Sequence, residues 1–265
     1  MADSSAEYHA HWHPTAAYLY TLHLDDLALA WEYLRRNPDY RRDWLRHRRR
    51  SNAAERWGLR VMEDPALDAR TAHPAWFPDH DAVVQLYPDA DPPPDALVFE
   101  FWRIPGDKRL IHDGKRLMLV AHGPGYCVRL AFAPGLNDGM AYVYAIRARI
   151  TTYPRYQALA AELGKLAADV GLAAAKPRPS PASLLELRTL QALDATLAGA
   201  SLREIAEGLF GTAAVTAGWY TDGGLRSKVR RLVQRGKTLM GGGYRRLAQL
   251  ESPEEGRSAL TAKRP

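Results

Sequence analysis

One cysteine, Cys127, is the only thiol among the 265 residues of this chain. That excludes an intrachain disulfide framework and a multi-cysteine zinc site, and it suits a reducing compartment. No apolar run approaches the roughly 20 residues that a membrane span needs. The start, Met1-Ala2-Asp3-Ser4-Ser5, has no basic stretch leading into an apolar one. No secretion signal is read there, and a cytoplasmic location is expected. Nucleophile–base pairs, paired carboxylates and metal-ligand motifs are also missing, so neither catalysis nor a cofactor nor a bound metal is expected. Acidic residues are absent from one whole stretch, Leu225 to Arg246.

Weaker signals resolve into bland readings. His9, His11 and His13 alternate, and three imidazoles could take zinc or nickel. No neighbouring element fixes their geometry, so a mobile tail is the better account. Asp79, Asp81, Asp89, Asp91 and Asp95 surround prolines without the spacing of a calcium loop. Gly241-Gly242-Gly243 lacks the Lys-Ser/Thr of a phosphate loop and reads as a flexible joint or a close helix contact. Cys127 lies in an apolar stretch, as a buried and inert thiol would.

What is present is a mild positive excess, +6 with neutral histidines, whose meaning depends on where it clusters. Near the N-terminus, Asp25 or Asp26 can cap a helix with Leu27, Ala30, Trp31 and Leu34 inward. Asn37-Pro38 stops it and starts a second helix, with Tyr40 and Trp44 inward. That helix ends in Arg46, His47, Arg48, Arg49 and Arg50, which either complement the helix dipole or touch phosphates. In the middle, Leu97–Trp102 and Tyr126–Phe132 have strand composition. Asp113-Gly114 is the two-residue loop of a hairpin. Met140–Ile150 reads as strand or helix. A helix is expected at about 154–170, followed by alternating prolines that cannot continue it.

The C-terminal part carries the strongest pattern. Ser183-Leu184-Leu185-Glu186 and Ser201-Leu202-Arg203-Glu204 both read as capping boxes, each opening a helix. Gly199 and Gly211 read as their stops. A long loop, 211–223, then leads to a third helix from about Gly224, with Trp219 and Tyr220 expected on the core. Its apolar residues, Leu225, Val229, Leu232, Val233, Gly236, Leu239 and Met240, fall within about 120° at about 100° per residue. The rest of the circumference holds Arg226, Ser227, Lys228, Arg230, Arg231, Gln234, Arg235, Lys237 and Thr238. A face of one sign forgoes the pairing that stabilises a mixed one, and it suits a polyanion. Arginine and glutamine read base edges, while lysine, serine and threonine hold phosphates. These nine residues and Arg203 are the candidate DNA contacts.

The stretch LAGASLREIAEGLFG (197–211), followed by LRSKVRRLVQRGKTLMGGGYRRL (225–247), resembles a proteobacterial helix-turn-helix variant long catalogued as a domain of unknown function. Its members include FseA-type activators and QseM-type antiactivators of integrative and conjugative elements. WEYLRRNPDYRRDW (31–44) and RWGL (56–59) are similar to the small regulator-like domain that precedes it in activators. The resemblance implies a promoter-binding activator of excision or transfer genes. The competing reading is an antiactivator-like module that controls another regulator without touching DNA. Double-stranded DNA is the expected partner. RNA polymerase, a small single-domain antiactivator and a second copy of the chain are the protein partners considered.

The expected architecture is α+β. It comprises a helical N-terminal regulator-like domain (14–70), a mixed middle (71–173), a Pro-rich linker (174–181), an all-α helix-turn-helix variant (182–250) and a disordered tail (251–265). Residues 180–250 are expected to fold alone.

Overall fold

The computed structural model describes residues 12, 14–47, 52–72, 74–77, 83–104, 106–112, 117–123, 126–145, 179–220 and 224–250. After a 3₁₀ helix at Thr15–His23 come α1 (Asp26–Leu34), α2 (Pro38–His47) and two short helices, α3 (Asn52–Glu55) and α4 (Ala69–Ala72). Strands β1 (Val83–Pro88), β2 (Asp107–His112), β3 (Leu117–Gly123), β4 (Tyr126–Phe132) and β5 (Tyr142–Ala145) follow. The chain closes with α5 (Pro181–Leu197), α6 (Leu202–Phe210), α7 (Thr212–Gly218), α8 (Gly224–Thr238), a π turn at Leu239–Gly243 and α9 (Tyr244–Leu247). The fold is α+β. The expected helix at 154–170, the Asp113-Gly114 turn, residues 174–178 of the linker, the tail at 251–265, Arg48–Arg50 and the three N-terminal histidines lie outside the described residues.

Two compact units emerge: Met1–Arg48 with Glu63–Pro74 and Arg178–Pro265, and Arg49–Met62 with Ala75–Pro177. Segments 14–47 and 182–250, read from the sequence as parts of separate domains, thus share one unit.

In that helical unit, Asp25 caps α1 by accepting from Ala28 N at 2.8 Å. Asn37 Oδ1 caps α2, accepting from Asp39 N and Tyr40 N, while its Nδ2 donates to Met240 O in the π turn at 2.9 Å. One side chain therefore ends one helix pair and ties it to the C-terminal segment. Trp31, Tyr33 and Tyr40 are completely buried, and α1 packs on the π turn and α9. The burial has polar terms. Tyr40 Oη donates to Glu63 O at 2.7 Å, and Trp31 Nε1 donates to Leu67 O at 3.1 Å. Trp44 is only half-buried, and Leu45 is 70% exposed.

The first capping box is not formed. Ser180 caps α5 one turn earlier, with Pro181 at the first helical position, where its missing N–H leaves no partner wanting. Glu186 is thereby freed for a tertiary role. The second box is intact: Ser201 Oγ accepts from Glu204 N, and Ser201 N donates to Glu204 Oε2. Gly199 and Gly211 both adopt positive φ, +84° and +86°, as the helix ends require.

The other unit holds a five-stranded sheet in the order β2-β3-β4-β1-β5. β2, β3 and β4 form an antiparallel meander, so the hairpin on either side of 113–116 is present, with His112 opposite Leu117. β1 joins β4 in parallel and β5 antiparallel. Period-two alternation splits the apolar side chains. Val84, Leu86, Leu119, Val128 and Leu130 build one cluster, and Val83, Ile111, Met118 and Ala131 build another. Met140–Ile150 resolves as strand over 142–145. Leu97–Trp102 is not a strand: Val98 makes one isolated bridge to Ala141, and Phe101–Arg103 turn into a 3₁₀ helix. Asp138 Oδ1 accepts from Phe101 N, and Gly139 N donates to Phe99 O, so this backbone is satisfied by a loop instead of a ladder. Cys127 is half-buried, not fully enclosed.

Candidate nucleic-acid interface

The interface is built from α5 to α8. Their apolar sides meet in one cluster containing Ala192, Ala195, Ile205, Ala206, Val215, Val229, Leu232 and Val233. A glycine on α8 lets that helix approach α5 closely. At Gly236 an added Cβ would stand 3.0 Å from Leu193 Cβ and 3.3 Å from Thr189 O. The glycine fixes the height and tilt of α8 on α5, and with them the direction of its outer face.

That outer face is the one read from the sequence. Arg226, Ser227, Lys228, Arg230, Arg231, Gln234, Arg235, Lys237 and Thr238 are all exposed, while Val229, Leu232, Val233 and Gly236 are buried. Arg203, near the start of α6, is also exposed. The residues nevertheless differ in how free they are to meet a ligand. Arg235 pairs with the buried carboxylate of Glu186 on α5, whose other oxygen accepts from Tyr33 Oη at 2.5 Å. Burial and this carboxylate push the Tyr33 phenol well above its ordinary range. Lys228 Nζ lies 5.0 Å from the Phe210 ring centre, and Arg188 approaches the same ring at 5.7 Å. Arg231 Nε donates to Ser227 O at 3.4 Å within α8. Arg203 holds Glu207 at 3.1 Å and Tyr220 Oη at 3.4 Å. Its hydrogen bond to Glu207 leads the causes that raise the guanidinium pKa.

The sequence reading missed α7. Residues 212–218, expected within a long loop, form a helix joined to α6 through the single residue Gly211. Only Val215 of α7 is buried; Thr212, Ala213, Ala214, Thr216 and Ala217 face outward. Trp219 packs on the helical core as expected, but Tyr220 is 81% exposed. The signal was the alanine-rich composition after a glycine stop, which favours a restarted helix over a loop. The other missed role, that of Glu186, was hidden because its capping-box spacing gave it a local explanation.

A second polar network stands behind this interface. Arg36 on the C-terminal side of α1 makes a bidentate pair with Asp194 of α5, Nε–Oδ1 2.6 Å and Nη2–Oδ2 2.8 Å. Its Nη1 donates to Glu32 Oε2 at 2.6 Å, and Arg35 Nε reaches the same oxygen at 2.7 Å. Burial alone would raise the Glu32 carboxyl, but the two guanidinium groups outweigh it and bring the pKa down to about 2. Burial likewise works against charge on Arg36, yet Asp194 and Glu32 together hold its pKa well above the ordinary arginine value.

Among the described residues no helix is long and apolar enough to cross a membrane, and no group of His, Cys, Asp or Glu is placed to hold a metal. No curated protein matches the chain significantly. Three family models match parts of it. Residues 11–61 match a proteobacterial transcriptional regulator-like domain, and residues 81–128 match a domain of unknown function, DUF7011. Residues 139–249 match the RovC-type T6SS transcription factor DNA-binding domain, which takes in all of α5 to α8. With a regulator-like match at one end and a DNA-binding match at the other, the chain reads as a DNA-binding transcription regulator.

Proposed function

We propose that this chain is a non-catalytic, cytoplasmic activator that binds promoter DNA through α8 and switches on excision or transfer genes of a mobile genetic element. The observation that carries the DNA part is the outer face of α8, where Arg226, Lys228, Arg230, Arg231 and Lys237 are exposed with no acidic residue in the helix. A surface of one sign attracts a polyanion and releases its counterions. Ser227, Arg230, Gln234 and Thr238 run along the middle of that face and would meet base edges, with the flanking cations on phosphates. The activator and mobile-element parts rest on the resemblance of 197–211 and 225–247 to the domain that FseA-type activators and QseM-type antiactivators share, together with that of 31–44 and 56–59 to the domain preceding it in activators. RNA polymerase, a short antiactivator and a second copy of the chain are the partners this role calls for.

A second reading assigns base recognition to α7. Gly211 joins it to α6 in one residue, and its outward side is small and uncharged. Such a surface admits close approach to a groove, and threonine or alanine methyls suit thymine.

Genome-wide mapping of bound sites in cells, followed by mobility shifts on the recovered promoters, tests the proposal. Recovery of promoters of excision or transfer genes, with transcription falling on deletion, supports it. The doubly substituted Arg230→Glu/Arg231→Glu protein should remain folded and lose binding. If it binds as tightly as the unsubstituted protein, α8 is not the DNA contact. Altered sequence preference on Thr216→Val, with none on Gln234→Ala, would move base reading to α7.

A further inference from the structure

Arg188 is the one basic residue of α5. It is half-buried, and its guanidinium lies 5.7 Å from the centre of the Phe210 ring, which Lys228 of α8 approaches at 5.0 Å. Phe210 ends α6 at the single-residue joint to α7 and packs against the helical core. Two helices thus bring one cation each to a ring supplied by a third. We propose that Arg188 is a further DNA contact, taking a backbone phosphate beside the one that Lys228 takes, so that α5 and α8 grip one strand together. This rests on the reading of α8 as the DNA-binding face.

The position of Arg188 offers it no carboxylate. Leu184, Leu185, Gln191 and Ala192 occupy the places three and four residues away on α5, where a partner on its own helix would stand. The carboxylates of α5 and α6 are engaged elsewhere: Glu186 by Arg235, Asp194 by Arg36, Glu207 by Arg203 and Glu204 by the Ser201 amide. α7 and α8 contain none. Among the described residues neither Arg188 nor Lys228 forms an ion pair, and the ring is what each of them meets. The negative face of the ring attracts both cations, yet the two like charges repel one another. A phosphate against them relieves that repulsion through charge-assisted hydrogen bonds.

The place of Arg188 continues the basic face of α8. Lys228, Arg231 and Arg235 fall within about 60° of one another at about 100° per residue. Arg235 reaches Glu186, so this edge of α8 faces α5. Arg188 carries the edge across onto α5. Arg235 is neutralised there by its carboxylate, whereas Lys228 and Arg188 keep their charge, so the phosphate-binding part of the edge lies at the Phe210 end. A guanidinium can rest on an aromatic ring and still present its in-plane N–H donors to phosphate oxygens. Because Phe210 sits at the joint of α6 and α7 and beside α8, the contact serves DNA whether α8 or α7 reads the bases.

Duplex binding by the full chain across a salt series tests this. Arg188→Gln should lower the log–log slope by about one and weaken binding to every duplex about five- to tenfold at about 0.1 M salt, because a phosphate contact carries no sequence information. Its melt should not move, since Arg188 holds no side-chain hydrogen bond. Arg188→Lys should restore most of the slope. Arg70→Gln, which removes an exposed charge of the same unit outside α5 to α8, should leave the slope unchanged. The contact is overturned if Arg188→Gln keeps the full slope, or if Arg70→Gln lowers it as much. Arg230→Glu/Arg231→Glu separates the two claims. Lost binding in that variant beside a full slope in Arg188→Gln leaves α8 as the DNA face and removes Arg188 alone. If the unsubstituted chain binds no duplex, both fall.

Discussion

The phenol of Tyr33 donates a 2.5 Å hydrogen bond to one oxygen of Glu186, and the other oxygen of that carboxylate takes Arg235. α1, α5 and α8 are therefore pinned at one buried carboxylate. Hydrogen bonds to buried charged groups contribute about 1.5–3 kcal/mol each. Tyr33→Phe, which keeps the ring, should destabilise the protein by about 2 kcal/mol in urea unfolding. A change below about 0.5 kcal/mol would mean that the pair is incidental.

The same pairing alters what α8 substitutions should do on DNA. Arg231 contacts only its own helix backbone in the structure, so Arg231→Ala should lower the log–log salt slope by about one. Arg235 is committed to Glu186, so Arg235→Ala should leave the slope nearly unchanged and lower stability instead. Glu186→Gln releases that guanidinium, and the slope should steepen. Binding to a duplex of arbitrary sequence across a salt series suffices to compare the three.

Acid sensitivity should trace to Glu32. Its carboxyl titrates near 2 when folded, against an ordinary value of 4.5. A depressed carboxyl stabilises fully above the unfolded pKa and loses that contribution as pH falls through the folded one. The window is therefore about pH 4.5 down to 2, and the loss is on the order of 3 kcal/mol. Urea melts between pH 6 and 2.5 should show the decline, and Glu32→Gln should flatten it. An equally steep decline in that variant would assign the acid response to other carboxylates.

Gly236→Ala inserts a methyl group 3.0 Å from Leu193 Cβ, inside ordinary contact. Overpacking of this kind costs about 1–3 kcal/mol. The melting temperature should fall, and α8 should be pushed outward from α5. Leu193→Ala in the same protein should not restore it, because alanine keeps the Cβ that the new methyl meets. An unchanged melting temperature on Gly236→Ala would show that α8 yields at this position without cost.

The fragment 178–250 should not melt cooperatively alone. It carries Glu186, Gln191 and Asp194, whose partners Tyr33, Trp12 and Arg36 lie in the N-terminal segment. Joining residues 12–74 to 178–250 through a flexible linker should recover a cooperative transition in circular dichroism. A sharp melt of the short fragment would show that these contacts are dispensable.

The helices were legible because their signals are local. Asp25, Asn37 and Ser201 cap where their hydroxyl, amide or carboxylate spacing says they should, and the apolar arc of α8 is buried as its period requires. The hairpin of β2 and β3 was legible for the same reason. What escaped was long-range. Glu186 fits a capping box by spacing, and only the position of Tyr33, 153 residues away, takes it elsewhere. Trp31 and Tyr40 read as inward, but the sequence does not say which distant segment covers them. β1 was missed because its neighbours, β4 and β5, both come later in the chain.

The order in which this chain emerges from a ribosome then matters. The helical unit is assembled from stretches separated by about a hundred residues of another unit. At roughly 5–20 residues per second, about 10–40 s pass between synthesis of Tyr40 and synthesis of the π turn. Throughout that interval α1 lacks the cover of the π turn and α9, and Arg36 waits for Asp194 and its helix. The π turn must therefore be made before the helical unit can close. A chain released early, anywhere in the sheet, leaves those aromatics open to chaperones and proteases and carries none of α5 to α8.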